Sequence, residues 1–486
     1  MRTVLFWIFL LPLALFAQNL EFDSLLFDNY EKIKEPSLDR LRIKHADLQP
    51  LIEKVAKTKG YTVTQVGESI EGRSISLISV GTGDIDVLLW SQMHGDEPTA
   101  TMAIFDILNF LQDKKTLKKE KKELLTKVRL HFIPMLNPDG AEQFKRRNAL
   151  DIDLNRDALR LQTPEARILK GVRDSLDADF GFNLHDQSTY YNAERTAKPA
   201  TISYLAPAYN YEKSINEVRG NAMKIIVYMN DIIQRYAPGQ VGRYNDDFEP
   251  RAFGDNIQKW GTSTILIESG GYPGDSEKQF IRKLNYLSIL SSVFAIANDA
   301  YQQIDIKDYE KIPNNDRKLF DLKVEGMTYY LDGKPYILDL GIYTTPKDNS
   351  DHTDYHYLGS IGEVGDLSTY YGYKTVEAAG LTYAAGKVFV PETTVLDSLA
   401  NLDFGSLLAE GYTDILLTSK PETAFSPLPL NLTLSEETKT QNVKLWTNAT
   451  FLLMDGEEVR YAIVNGFLFD VSDRGSLKKM KNGVIR

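Results

Sequence analysis

Val87-Leu88-Leu89-Trp90-Ser91-Gln92-Met93-His94-Gly95-Asp96-Glu97-Pro98-Thr99-Ala100-Thr101-Met102-Ala103-Ile104-Phe105 is the stretch from which the fold is read. The run Val87 to Trp90 is apolar without a break and is expected to be a buried strand. The residues after Pro98 fit a helix with proline in its first turn. His94 and Glu97 therefore stand in a strand-to-helix turn, the edge at which sites form in open α/β sheets. An imidazole nitrogen and a carboxylate oxygen three residues apart suit zinc, whose catalytic sites keep three protein ligands and one open position for water.

Three further packets of polar residues follow, each closing a strand-like run. Leu130-His131-Phe132-Ile133-Pro134-Met135-Leu136 leads into the turn Asn137-Pro138-Asp139-Gly140. Beyond it lie Lys145-Arg146-Arg147-Asn148 and Asp151-Ile152-Asp153-Leu154-Asn155-Arg156-Asp157. Phe180-Gly181-Phe182-Asn183-Leu184 ends in His185. Thr264-Ile265-Leu266-Ile267 ends in Glu268. A charge that closes an apolar strand needs a purpose, because burying it alone is costly.

Each of these parts has a chemical use. His94, Glu97 and His185 can hold zinc, with the fourth position left for a water whose pKa the metal lowers. Glu268 can take the proton from that water and hand it to a leaving amine. An arginine can face the carbonyl oxygen as charge develops there. Asn155 and Arg156 can clamp a carboxylate, a bidentate task that suits guanidinium better than ammonium.

On these residues the chain resembles the zinc carboxypeptidases of the carboxypeptidase A type, over roughly positions 40 to 300. The resemblance rests on Gly67-Glu68-Ser69-Ile70-Glu71-Gly72-Arg73, the His94 and Glu97 pair, Asn137-Pro138-Asp139-Gly140, Asp153-Leu154-Asn155-Arg156, Thr163-Pro164-Glu165, His185 and Glu268, in the family's order. It implies one Zn2+ per chain on His94, Glu97 and His185, with Glu268 as general base. It implies that Asn155 and Arg156 bind the terminal carboxylate of a peptide. The family's transition-state arginine falls on Arg146, with Arg147 the alternative and a substrate contact. Its mobile tyrosine falls on Tyr244. One departure stands out: Asp96 precedes the metal-binding glutamate where the digestive enzymes carry an arginine. Their specificity is therefore not carried over.

Composition sets the frame. A chain of 486 residues exceeds one ordinary core and is expected to hold about two domains. A net charge of −11 offers no basic face for nucleic acid or an anionic membrane. Cysteine is absent, which leaves no disulfide framework and no thiol chemistry. Arg2 followed by the apolar run Val4 to Leu15 and by Phe16-Ala17-Gln18 fits a signal peptide cleaved after Ala17. Export without disulfides points to a bacterial secreted or periplasmic protein with no stable membrane anchor after cleavage.

Other stretches have plainer readings. His131, inside an apolar strand, is expected to pack in the core, and His45, among charges, to be solvated. Arg146 and Arg147 together with Lys145 also read as a surface charge cluster. From Lys323 the pattern changes to short alternating runs joined by glycine turns, such as Asp332-Gly333 between Lys323–Tyr330 and Lys334–Ile342. Segments including Ile337-Leu338-Asp339-Leu340-Gly341 and Tyr461-Ala462-Ile463-Val464-Asn465-Gly466 distantly resemble the β-sandwich of amidohydrolases. Asp351-His352-Thr353-Asp354-Tyr355-His356 reads as a solvated loop.

The expected fold is α/β: a mixed-sheet zinc carboxypeptidase-like catalytic domain with helices on both faces, and a smaller β-rich C-terminal domain. Positions 1–17 are the signal peptide, 18–305 the catalytic domain and 318–486 the accessory domain. The expected activity is metallocarboxypeptidase hydrolysis of a peptide, cell-wall peptides included. Two alternatives stand beside it, a deacylase of N-acyl amino acids on the same fold and a zinc-containing binding protein without turnover.

Overall fold

A computed structural model describes residues 22–392, 396–419, 421, 426–435, 442–473 and 481–482. The expected signal peptide lies outside the described residues. The chain divides into two compact units, one of residues up to 194 and 198–316, the other of 195–197 and 317 onward.

The first unit is built on a sheet of β1 (Tyr61–Glu68), β2 (Ser74–Gly81), β3 (Ile85–Trp90), β4 (Val128–Ile133), β5 (Phe180–Asp186), β7 (Ile202–Leu205), β8 (Val241–Arg243) and β9 (Ser263–Ser269). Their spatial order is β1-β2-β4-β3-β5-β9-β7-β8, while the short β6 (Asn192–Ala193) pairs with β10 (Asn315–Asp316). β4, β3, β5 and β9 run parallel to their neighbours in that block, and β1, β2 and β7 pair antiparallel. The sheet is therefore mixed. β3 has β4 on one side and β5 on the other, so the order reverses at the carboxyl end of β3, where a crevice opens in such sheets.

Side-chain alternation supplies both cores. Val87, Leu89, Phe182, Leu184, Ile265 and Ile267 point to the face covered by helices His45–Ala56, Thr99–Gln112, Glu217–Ile233 and Gln279–Ala297. Leu88 and Trp90 point to the opposite face, under helices Pro164–Leu176 and Phe253–Lys259. His185 and Glu268, out of step with the first set, project on that second face. Helix Gln279–Ala297 is long and apolar enough to cross a membrane, but nearly all of it is buried in the first core.

The turn that carries the metal motif is shaped by close contacts. Gln92 adopts φ +48 and is held by its amide on Gly95 O (3.0 Å) and by Thr101 Oγ1 on its Oε1 (3.0 Å). A Cβ on Gly95 would come within 2.0 Å of the Gly140 carbonyl carbon, so only glycine lets the loops after β3 and β4 lie together.

Several other motifs form the scaffold behind this turn. Asp139 accepts from Ser69 Oγ (2.7 Å), the Glu71 N–H (3.0 Å) and Arg73 Nη1 (2.6 Å), which joins the Gly67–Arg73 segment to the Asn-Pro-Asp-Gly turn. Thr163 caps the helix Pro164–Leu176. His131 lies buried between Ser79 Oγ (2.8 Å) and Asp86 Oδ1 (2.9 Å), a polar link across β2, β4 and β3. His45 is half-buried at a helix start with its ring on Ser74 O (3.0 Å), where a solvated residue was expected.

The second unit is β-rich. β11 (Leu319–Leu331) and β12 (Lys334–Asp348) form a hairpin closed by Asp332 and Gly333 at φ +50 and +74, the positive pair a tight two-residue hairpin requires. They belong to an eight-stranded sheet beside a separate three-stranded parallel one. The histidine stretch is not wholly a loop: its last two residues open β13 (Tyr355–Gly365), and His356 is buried within it. Among the described residues His352 and His356 form no metal-ligating group.

Candidate metal centre and active site

His94 and Glu97 leave the turn after β3, and His185 is the last residue but one of β5, the strand paired beside β3. The His94 Nδ1 lies 2.8 Å from Glu97 Oε1, the His185 Nδ1 lies 2.7 Å from Glu97 Oε2, and the two Nδ1 atoms are 3.2 Å apart. All three residues are buried, and their ligand atoms lie within 4.8 Å of one another. Tetrahedral zinc with bonds of about 2.0–2.1 Å holds its ligand atoms roughly 3.3 Å apart, so the spacing of the two imidazoles fits the ion.

The electrostatics fit as well. The Asp153 Oδ1 lies 3.1 Å from His94 Nε2 and can only accept, which puts the ring proton there and leaves Nδ1 with a lone pair toward the centre. Burial opposes a charge on His94, but Glu97 and Asp153 outweigh it and push its imidazole up to about 9. Burial wins at His185, whose imidazole is lowered. Despite burial, the Glu97 and Asp153 carboxyls are held well below the usual range by the histidines around them. This is a place built to hold positive charge.

Glu268 stands directly opposite His185 in the β5/β9 register. Burial, and after it the Glu97 carboxylate, raises its carboxyl well above the ordinary value. A carboxyl beside the ligand set but outside it can both hold and release a proton.

Residues 50–223 match the model of the zinc carboxypeptidase family, a span that contains the three ligands and Asp153. The chain carries a zinc carboxypeptidase-like domain. This places it among the metallocarboxypeptidase hydrolases. It is 28% identical over 410 residues to Carboxypeptidase SOL1 of Arabidopsis thaliana, covering 76% of each chain. It is 27% identical over 107 residues to Carboxypeptidase M of Mus musculus, covering 19% of this chain and 24% of that one. A metallo-carboxypeptidase from Burkholderia cenocepacia has a TM-score of 0.43 at 17% identity, covering 53% of this chain and 69% of its own.

Around the centre of this carboxypeptidase-like domain the two neighbouring arginines part company. Arg146 gives Nε to Asp153 Oδ2 (3.0 Å), and its Nη1 lies 3.3 Å from Glu97 Oε1 and 3.1 Å from His94 Nδ1. Arg147 gives Nη1 to the Asp151 carbonyl (2.8 Å), which ties it to its own exposed loop and not to the centre. The turn at Asn148–Asp151 thus holds the Arg147 guanidinium.

Asn155 and Arg156 sit in a short 3-10 turn that follows Asp153. The Asn155 Oδ1 accepts the Phe253 N–H (2.8 Å) and so caps the helix Phe253–Lys259. Arg156 gives Nη1 to the Asn155 carbonyl (2.7 Å) and meets Glu249 Oε2 through Nε at 3.4 Å. Tyr244 leaves β8 beside Tyr191, and burial together with the Glu268 carboxylate raises its phenol. Asp96 has a buried Oδ1 without a partner, and burial with the adjacent Glu97 pushes its carboxyl up to about 6.

Two supports were not assigned a role from the sequence. Asp153 orients both His94 and Arg146; its signal was a carboxylate two residues before Asn155. Asp186 gives its N–H to Glu97 Oε2 (3.2 Å), while its side chain takes Thr99 Oγ1 (2.6 Å) and Lys278 Nζ (3.1 Å). Nothing in the local pattern marks Lys278 as a partner.

Proposed function

We propose that this protein is an exported zinc metallocarboxypeptidase that removes residues one at a time from the carboxyl end of peptides. The observation that carries the reading is Glu268 in register with His185, beside three ligands that fit zinc, with Arg146 on the same centre. A bound zinc ion would supply Lewis acidity, activating water and polarising the scissile carbonyl.

The chain's own residues would do the rest. Glu268 takes the proton of the attacking water and delivers it to the departing amine. Arg146, held by Asp153, turns its guanidinium to the carbonyl oxygen as negative charge grows there. Arg156 receives the terminal carboxylate, and Tyr244 packs over the bound residue. The apolar run ahead of Ala17 supports export. Peptides of the bacterial wall are then among the substrates within reach.

Zinc content, measured together with the release of terminal residues from a mixed peptide library that includes branched wall peptides, tests the proposal. One equivalent of zinc in both wild type and Glu268→Gln, with turnover in wild type alone, is the expected result. Turnover limited to acyl-amino acids would replace the peptidase by a deacylase, and zinc without turnover in either protein would leave a binding protein.

A further inference from the structure

Arg156 already has a carboxylate on it, and that carboxylate belongs to the chain. Glu249 Oε2 lies 3.4 Å from Arg156 Nε. The same carboxylate is held by both ends of a second guanidinium, with Arg251 Nε 3.0 Å from Oε1 and Arg251 Nη2 2.9 Å from Oε2. A two-point grip on Arg251 is stronger than one long contact on Arg156.

Backbone contacts fix where Glu249 can reach. The Ala158 N–H donates to the Arg251 carbonyl (3.0 Å), the Phe253 N–H to Asn155 Oδ1 (2.8 Å), and the Glu249 N–H to Asp255 Oδ1 (3.0 Å). Segment 249–253 is thus docked along segment 155–158. An acid anchored this way competes with any incoming carboxylate as an intramolecular ligand, at a high effective concentration. Arg251, and to a lesser degree Arg156, keeps the Glu249 carboxyl below its ordinary range, so it is an anion at neutral pH.

We propose that Glu249 is a built-in competitor for the substrate-carboxylate position on Arg156, and that Arg251 is the place where it parks when substrate displaces it. The idea rests on the function proposed above, in which Arg156 receives the terminal carboxylate. With the site empty, Glu249 bridges both arginines and offsets part of the charge on Arg156. When substrate binds, its carboxylate takes Arg156, and Glu249 stays on Arg251 by its two-point grip. After cleavage the return of Glu249 helps to expel the released amino acid. No bond is made or broken in this exchange.

The two partners should then act in opposite directions, which a merely structural role for the loop would not produce. Steady-state kinetics on one peptide, and inhibition by the amino acid it releases, read the effect for wild type, Glu249→Gln and Arg251→Gln. Glu249→Gln lowers KM and the product inhibition constant about two- to fivefold, with kcat moving less than KM. Arg251→Gln raises KM by a similar factor, because Glu249 is left with Arg156 alone. Glu249→Asp, which keeps the charge but shortens the reach, falls between wild type and Glu249→Gln and serves if the glutamine variant folds poorly. A KM that stays or rises in Glu249→Gln while wild type turns over overturns the competitor alone. A wild type that releases nothing from any peptide overturns the function on which it rests.

Discussion

His94 Nε2 and Asp153 Oδ1 stand 3.1 Å apart, and the other oxygen of that carboxylate takes Arg146 Nε at 3.0 Å. One buried acid thus orients a histidine of the candidate metal site and the guanidinium beside it. Removing it should disturb two functions that mutation of either partner would disturb singly.

Asp153→Ala is expected to weaken zinc binding by about 10- to 100-fold, the usual cost of losing an outer-shell partner of a ligating histidine. A competition titration against a chelator reads this directly. Unchanged affinity would mean that Glu97 alone holds His94 in place.

The two adjacent arginines should separate sharply in kinetics. Arg146→Ala is expected to lower kcat by about 10²- to 10³-fold, as loss of a donor to the developing oxyanion does elsewhere. Arg147→Ala, tied to the Asp151 carbonyl, should change it by no more than about twofold. The reverse ranking would show that the loop rearranges when substrate binds.

Asp106 and Arg282 form an ion pair in which neither side chain reaches solvent. Tyr30 donates to the same carboxylate at 2.9 Å and the Glu35 N–H at 2.7 Å, so the pair ties the N-terminal segment to helices Thr99–Gln112 and Gln279–Ala297. Arg282→Met leaves the buried carboxylate without its cation and should cost about 3–5 kcal/mol. The denaturant midpoint of the first unit is the measurement. An added Asp106→Leu should recover part of the loss, since two apolar side chains leave no charge stranded.

Asp255 makes stability depend on pH in a direction opposite to the usual one for an acid. Burial pushes its carboxyl up to about 7, against the Glu249 N–H bond that favours the anion, while the charge of the Glu249 carboxylate adds to the rise. An unfolded aspartate titrates near 3.9, so the folded state binds the proton more tightly. The stabilisation is present in full below about pH 3.9 and is lost as pH rises through about 7. Asp255→Asn lacks this titration. The stability of wild type relative to the variant should therefore fall between pH 4 and 8, as chemical denaturation at several pH values can follow. A flat difference would place the Asp255 titration elsewhere.

Much of this was legible along the chain. The strand at Val87–Trp90, the proline-led helix and the ligand pair between them depend on neighbours a few residues apart, as does the Asp332-Gly333 hairpin. Periodicity and turn chemistry are local, and local preferences can be read one residue after another. His185 and Glu268 were visible for a related reason, because each charge closes an apolar run and has to be accounted for.

What stayed hidden depends on distances across space. Arg146 and Arg147 are chemically identical and adjacent, and their contacts part only because Asp153 waits for one and the Asp151 carbonyl for the other. Asp153 itself, Lys278 beneath Asp186 and Glu249 on Arg156 are pairings between segments 59, 92 and 93 residues apart. An ion pair has no period and leaves no mark on its flanking residues. Its partner is chosen by where the packed strands and loops happen to bring opposite charges together, and that choice exists only once the chain has folded.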